Sequence, residues 1–209
     1  MKNKLDLENI DPIKMKMLLD ATLKMAEDVF PKEELAIFQE FLDFREMFSK
    51  ESDRGCALMS AAFIDDKLGQ LIEKNLLDNK RARESLFDNS GALGTFSGKI
   101  NVAYLMGLIP KNVHDNIQLI RKIRNDFAHN ASAITFDTDY IASRCYSLSI
   151  HDLTNKESPR LIFSRTMTSI LSYMNIQLKN AKRPEVKDDY RIEEITNLMN
   201  KTYDSFNKK

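Results

Sequence analysis

The chain has 209 residues, 43% of them hydrophobic and 30% charged, with only 6 glycines and 5 prolines, a balance that favours a single all-α domain. Its 31 basic and 31 acidic residues cancel, which excludes an overall electrostatic field that would attract nucleic acid or an anionic membrane. Two cysteines without CxxC spacing disfavour a disulfide framework or a zinc site, and we expect neither a metal nor a cofactor. Reduced thiols, together with the absence of a signal sequence or a long apolar run, predict a cytoplasmic protein.

Two amphipathic helices are predicted at the N-terminal end. Asp11 and Pro12 form a helix start signal, and apolar residues then recur at helical spacing until Pro31. Beyond Pro31 a second helix carries an aromatic face made of Ile37, Phe41, Phe44 and Phe48. We therefore treat residues 1–31 as an N-terminal helix that precedes the main domain.

The next stretch begins with a clear helix start and then changes character. Ser52 and Asp53 are both good N-caps for a third helix with small and apolar residues on one face. Residues 78–98 bring turn-forming residues together and are predicted to be the principal internal loop. A helix resumes over residues 96–106, and Gly107 suits its C-terminal stop.

The second half of the chain is predicted to hold four helices. Pro110 opens a helix with a stripe of Val113, Ile117, Ile120, Ile123 and Phe127. A short helix is expected within residues 137–146, and Ser158 with Pro159 caps a long helix that ends before Pro184. Residues 32–183 thus form the main helical domain, and residues 184–209 hold a final amphipathic helix.

One interpretation of the hairpin around Gly107 is a DNA-reading helix-turn-helix. Ala103, Gly107 and Val113 stand at the spacing of that motif. The second helix, however, offers few base-reading or phosphate-binding side chains in its first turns before the buried stripe resumes. An ordinary αα-hairpin is therefore the favoured interpretation.

The richest chemistry lies at the end of the helix that Pro110 opens, where Arg121 precedes Arg124, Asn125 and His129. Arg124 could hold a phosphate, and His129 could act as general base on an RNA 2′-hydroxyl. On one straight helix, however, these two residues lie about 140° and about 7.5 Å apart. A shared site would require a bent helix end, a curled arginine side chain or a dimer, and capping and ion pairing are the structural alternative.

Two family resemblances follow from these residues. The Arg124-Asn125-x-x-x-His129 pattern resembles the HEPN superfamily, which includes metal-independent ribonucleases and noncatalytic binding domains. A longer series of segments looks like the mannitol operon repressor family, called MltR or MtlR: Glu51-Ser52-Asp53-Arg54-Gly55, Leu86-Phe87-Asp88, Leu93-Gly94-x-Phe96-Ser97-x-Lys99-Ile100, Tyr104-x-x-Gly107-Leu108-Ile109, and the decapeptide from Arg121.

The resemblance implies an HEPN-like helical bundle, a repressor role and regulation through a protein partner, since the MltR family lacks an evident DNA-binding module. We therefore expect a noncatalytic regulator rather than an enzyme, and we expect it to form a homodimer. The alternatives are a ribonuclease that uses Arg124, Asn125 and His129, and a protein that binds its operator directly. The candidate binding residues are Asp53, Arg54, Asp88, Ser97, Lys99 and Arg121.

Overall fold

The computed structural model describes residues 51–151, 157–189 and 191–207, with single positions at 17, 21, 24, 25, 39, 47, 48 and 50. Its described part contains no strand and seven helices: α1 (Asp53–Lys74), α2 (Lys80–Phe87), α3 (Phe96–Leu105), α4 (Lys111–His129), α5 (Asp139–Tyr146), α6 (Pro159–Asn180) and α7 (Ile192–Phe206). The all-α prediction is confirmed. Apart from those single positions, the two helices predicted before residue 50 lie outside the described residues.

Helix α1 is the centre of the bundle and packs against α3, α4 and α6. The Ser52 hydroxyl accepts a hydrogen bond from the backbone N–H of Gly55 at 3.1 Å, as expected for an N-cap. Small and branched side chains on its inner face are fully buried, which allows neighbouring helices to approach closely: Cys56, Ala57, Ile64, Leu68 and Ile72. The predicted start of this helix is confirmed.

Helix α2 lies where we predicted only a loop, so that prediction is wrong for residues 80–87. Asn79 caps the helix by accepting from the Ala82 backbone N–H at 3.0 Å. Lys80 and Glu84 form an exposed pair one turn apart. None of the residues in α2 is buried, so the sequence carries no apolar stripe to reveal it.

The turn from Asp88 to Thr95 packs so tightly that two of its residues must be glycine. A Cβ on Gly91 would lie 2.3 Å from the carbonyl oxygen of Leu86, and one on Gly94 would lie 2.2 Å from that of Asp88. The predicted turn character is correct here. The turn buries Leu93 in the core and leads into α3. The N-cap of α3 is Thr95, whose hydroxyl accepts a hydrogen bond from the Gly98 backbone N–H.

Helices α3 and α4 form a hairpin whose turn contains Gly107. Among the described residues Gly107 alone has a positive φ, of 72°. The predicted apolar stripe of α4 is buried along the whole helix, from Val113 to Phe127. Because α4 packs against α1, α3, α5 and α6, it is an internal helix of the bundle. This arrangement favours the αα-hairpin interpretation over a protruding recognition helix.

Aromatic rings pack against one another in the core, between α4, α6 and the segment that follows α4. Phe136 lies between Phe127 and Phe163, with ring centroids 5.2 Å and 4.9 Å away. Phe48 stacks on Phe163, with ring centroids 6.3 Å apart. Such pairs add about 1 kcal/mol each beyond their buried area. The predicted burial of the aromatic stripe is therefore correct for Phe48.

Helix α7 follows residues 181–191, in which the described positions contain no helix. It begins and ends close to the predicted amphipathic pattern, but none of its residues is buried. Within the described ranges, no helix combines the length and apolar character needed to traverse a bilayer.

Candidate functional site

The motif residues at the end of α4 do not converge on one point. Arg124 is half-buried, and its Nη1 donates to Asn125 Oδ1 at 3.0 Å. His129 is the last residue of α4 and is exposed, and its imidazole has no hydrogen-bond partner among the described residues. The helix continues unbroken to His129, so the bend that would bring the imidazole to Arg124 does not occur.

The acidic residue within the same motif has a structural partner. Asp126 forms an ion pair with Arg144 of α5. The guanidinium of Arg144 also lies 5.7 Å from the ring centroid of Tyr140. The ion pair therefore links α5 to α4, and Asp126 has a structural role.

Asp53 and Arg54, two predicted binding residues, both secure the segment that follows α4. The Asp53 carboxylate accepts from the Phe136 backbone N–H at 2.8 Å and pairs with Arg160 of α6 at 2.5 Å. Arg54 donates to the carbonyl oxygens of Asn130 at 2.8 Å and Ser132 at 3.2 Å. A shallow groove of about 530 Å³ lies beside these bonds, between residues 52–54 and residues 131–135.

Arg160 makes further contacts at the start of α1, next to its ion pair with Asp53. Its Nη2 donates to the Glu51 carbonyl oxygen at 2.7 Å and lies 3.0 Å from Cys56 Sγ. Burial raises the pKa of the Cys56 thiol to about 11, although Arg160 acts in the opposite direction. Burial likewise raises the pKa of Cys145 to about 12. Both thiols stay protonated near neutral pH, so neither offers a ready nucleophile.

Three further predicted binding residues lie apart from the Arg124 motif. Lys99 forms an ion pair with Asp65 of α1 at 3.0 Å. Asp88 accepts from the Asn89 backbone N–H at 2.8 Å within its own turn. Ser97 occupies the first turn of α3. In the described part of the chain, no hydrogen bond or ion pair joins these three residues to Arg124, Asn125 or His129.

Arg121 belongs to a hydrogen-bonded surface that the sequence did not suggest. Its Nε donates to Gln118 Oε1 at 3.1 Å, and Gln118 Nε2 donates to Asn101 Oδ1 of α3, also at 3.1 Å. His114 Nε2 lies 3.5 Å from the same Asn101 oxygen, and its ring is 4.7 Å from that of Tyr104. The spacing of residues 114, 118 and 121 is the signal that would have revealed this surface.

Exposed apolar side chains continue this surface at the end of α3. Leu105, one turn after Asn101, is 82% exposed, and Tyr104 is 37% exposed. We use the name α3–α4 face for the whole surface, which consists of Asn101, Tyr104, Leu105, His114, Gln118 and Arg121. Among the described residues, no group of three or more His, Cys, Asp or Glu could hold a metal ion.

The described residues form an all-helical bundle in which Asp53, Arg54, Lys99 and Asp126 all make structural contacts, so the class that the fold defines is an all-α helical bundle. The mannitol repressor family (MtlR) matches residues 45–189. Because this match covers more than half of the chain, the protein is a member of that family. The matched range includes α1 to α6 and ends before α7.

The fold is similar to that of a chain in the X-ray structure of the MtlR–HPr complex from Escherichia coli. The two chains are 15% identical, with a TM-score of 0.53, and the match covers 66% of this chain and 98% of the other. No curated protein matches the sequence significantly. At this identity the similarity establishes a shared fold.

Proposed function

We propose that this protein is a noncatalytic regulator of the MtlR type, which represses transcription through a protein partner and carries no DNA-binding motif of its own. The observation that carries the proposal is the family match over residues 45–189, and the geometry of the Arg124 motif supports its noncatalytic part. Arg124 is bonded to Asn125, whereas His129 lies exposed at the end of the same unbroken helix. Within one copy of the chain, such an arrangement offers no general base beside a phosphate-binding group.

The partner that we propose is HPr or a protein similar to it. The structurally similar chain from Escherichia coli belongs to a complex with HPr, and the present fold spans 98% of that chain. Because the family match ends at residue 189, we expect the surface that binds this partner to lie within α1 to α6.

We place the docking surface on the α3–α4 face because its composition is typical of interface centres. Tyrosine and arginine are enriched there, and Tyr104 and Arg121 both belong to this face, which the contacts of Asn101, His114 and Gln118 join together. The hydrogen bonds from Arg121 to Gln118 and from Gln118 to Asn101 hold the polar side chains in place before binding. Binding then costs less side-chain entropy.

Isothermal titration calorimetry of the full chain with HPr from the same genome tests the proposal. Arg121→Ala and Tyr104→Ala should each weaken binding by about tenfold or more, as expected for central interface residues. Lys80→Ala is the matched control, because Lys80 is an 81% exposed side chain on α2 and should change affinity by less than about twofold.

Two results would contradict the proposal. Absence of heat and of co-elution with HPr would reject the partner. Equal affinities for the wild type, Arg121→Ala and Tyr104→Ala would reject the α3–α4 face while retaining HPr binding. Circular dichroism of each variant verifies that the helices are intact.

A further inference from the structure

Helix α7 presents a continuous apolar face to solvent. Each of its six large apolar side chains is between 44% and 77% exposed: Ile192, Ile195, Leu198, Met199, Tyr203 and Phe206. Isolated helices of about 15 residues are marginal in water, so a helix of this length needs a surface to pack against. The face lies beyond residue 189 and is therefore separate from the region that matches the MtlR family.

The spacing on this face is that of a helix that packs against another helix. Ile192, Ile195 and Met199 follow one another at intervals of three and four residues, and Phe206 comes one heptad after Met199. In a heptad these are the a and d positions, whose side chains fill the seam between paired helices. The remaining d position is Thr202, so the seam is short and mostly apolar.

The charges of α7 lie where they permit pairing with an identical helix. Glu193, Glu194, Lys201 and Asp204 occupy the outer heptad positions b, c and f. The flanking e and g positions, which select a different partner through opposite charges, hold the uncharged residues Thr196, Leu198, Tyr203 and Ser205. Two copies of α7 therefore meet without like charges facing one another.

The area of the face also suits a second copy. Its six apolar side chains expose on the order of 800 Å² in total, which is the upper limit of what one copy can bury and is comparable to the share of one partner in an interface of standard size. Residues 182–191 span up to about 33 Å when extended, which is enough to carry α7 away from its own bundle. An antiparallel arrangement additionally places the opposite ends of the two helix dipoles together.

We infer that α7 is a dimerisation helix, whose apolar face packs in an antiparallel arrangement against α7 of a second copy of this chain. The two bundles are then joined through their C-terminal helices. The α3–α4 face of each copy remains open, so dimerisation and partner binding use separate surfaces.

Sedimentation velocity of the full chain over a hundredfold range of concentration tests this inference. The wild type should change from monomer to dimer with increasing concentration. Met199→Glu combined with Phe206→Glu should raise the dimer dissociation constant by at least about tenfold, because it places charges in the apolar seam. Asn197→Glu, which adds a charge at the outer f position, is the matched control and should dimerise like the wild type.

A chain that stays monomeric at every concentration would overturn the inference, and so would a dimer that the double variant leaves intact. The first result would indicate that α7 is covered by another part of its own chain or by a different protein. Circular dichroism and the melting temperature of the bundle show whether the double variant is folded. These measurements use the protein alone and therefore do not depend on the outcome with HPr.

Discussion

Asp53 shows how one side chain in the family signature is committed to the fold. Its carboxylate satisfies the Phe136 backbone N–H and pairs with Arg160, so it joins three parts of the chain that are distant in sequence. Its side chain is only 22% exposed, and its bonds are therefore partly shielded from water. We predicted Asp53 as a candidate binding residue, and its geometry gives it a structural role as well.

Asp53→Asn should reduce the free energy of unfolding by about 2 kcal/mol, because Arg160 would keep a partly shielded charge without its counterion. Urea unfolding followed by circular dichroism measures the change. Asp66→Asn on the exposed side of α1 is the control and should cost less than about 0.5 kcal/mol. An equal loss in both variants would show that the Asp53 bonds contribute little.

The Arg124 motif supports a second prediction at this scale, concerning RNA cleavage. Arg124 and His129 project about 140° apart on an unbroken helix, so we expect the wild-type protein to leave labelled single-stranded RNA intact. Gel analysis of the RNA after incubation provides the measurement. Cleavage that disappears in both His129→Ala and Arg124→Ala would instead support the ribonuclease alternative.

Among the secondary-structure elements, the turn before α3 requires glycine at two positions, Gly91 and Gly94. Gly94→Ala should destabilise the protein by more than about 2 kcal/mol, because the new Cβ would lie 2.2 Å from the Asp88 carbonyl oxygen. Gly69→Ala in the middle of α1 is a matched control, since its Cβ would meet only ordinary contacts from 3.7 Å outward. It should be neutral or stabilise α1 by up to about 1 kcal/mol. Thermal unfolding compares the two, and a stable Gly94→Ala variant would contradict the tight packing.

Helix prediction succeeded where a cap and an apolar stripe occurred together. Ser52 and Ser158 begin α1 and α6 as expected, and the buried stripe of α4 follows the predicted residues. Helix α2 was missed because it buries nothing, so hydrophobic periodicity carries no information about it. Its cap at Asn79 was the remaining local signal.

The candidate site was harder to predict than the helices. Helix geometry correctly indicated that Arg124 and His129 would not meet on a straight α4. The partners of Asp53, Arg54 and Lys99 could not be predicted, because local spacing identifies neighbours only within a turn or two along one helix. Those partners lie on other elements and depend on how the bundle packs.

At the level of the whole molecule, neutrality limits direct DNA binding. With 31 basic and 31 acidic residues, the protein lacks the excess of cations that dominates affinity for the phosphate backbone. We therefore expect no gel shift of promoter DNA from the adjoining genes, even at about 50 mM salt. A basic DNA-binding protein in parallel confirms that the assay detects phosphate contacts. A shift by this chain that weakens steeply with salt would support direct operator binding.

The bonds of Arg160 also bear on when the protein can fold during synthesis. They connect α6 with Asp53 and Glu51, which precede it by 107 and 109 residues. Closing so large a loop is entropically costly and slow, and it requires that α6 has left the ribosome. The bonds between Arg160 and the start of α1 therefore form only after α6 is available, and the part of α1 that packs against α6 stays exposed on the nascent chain until then.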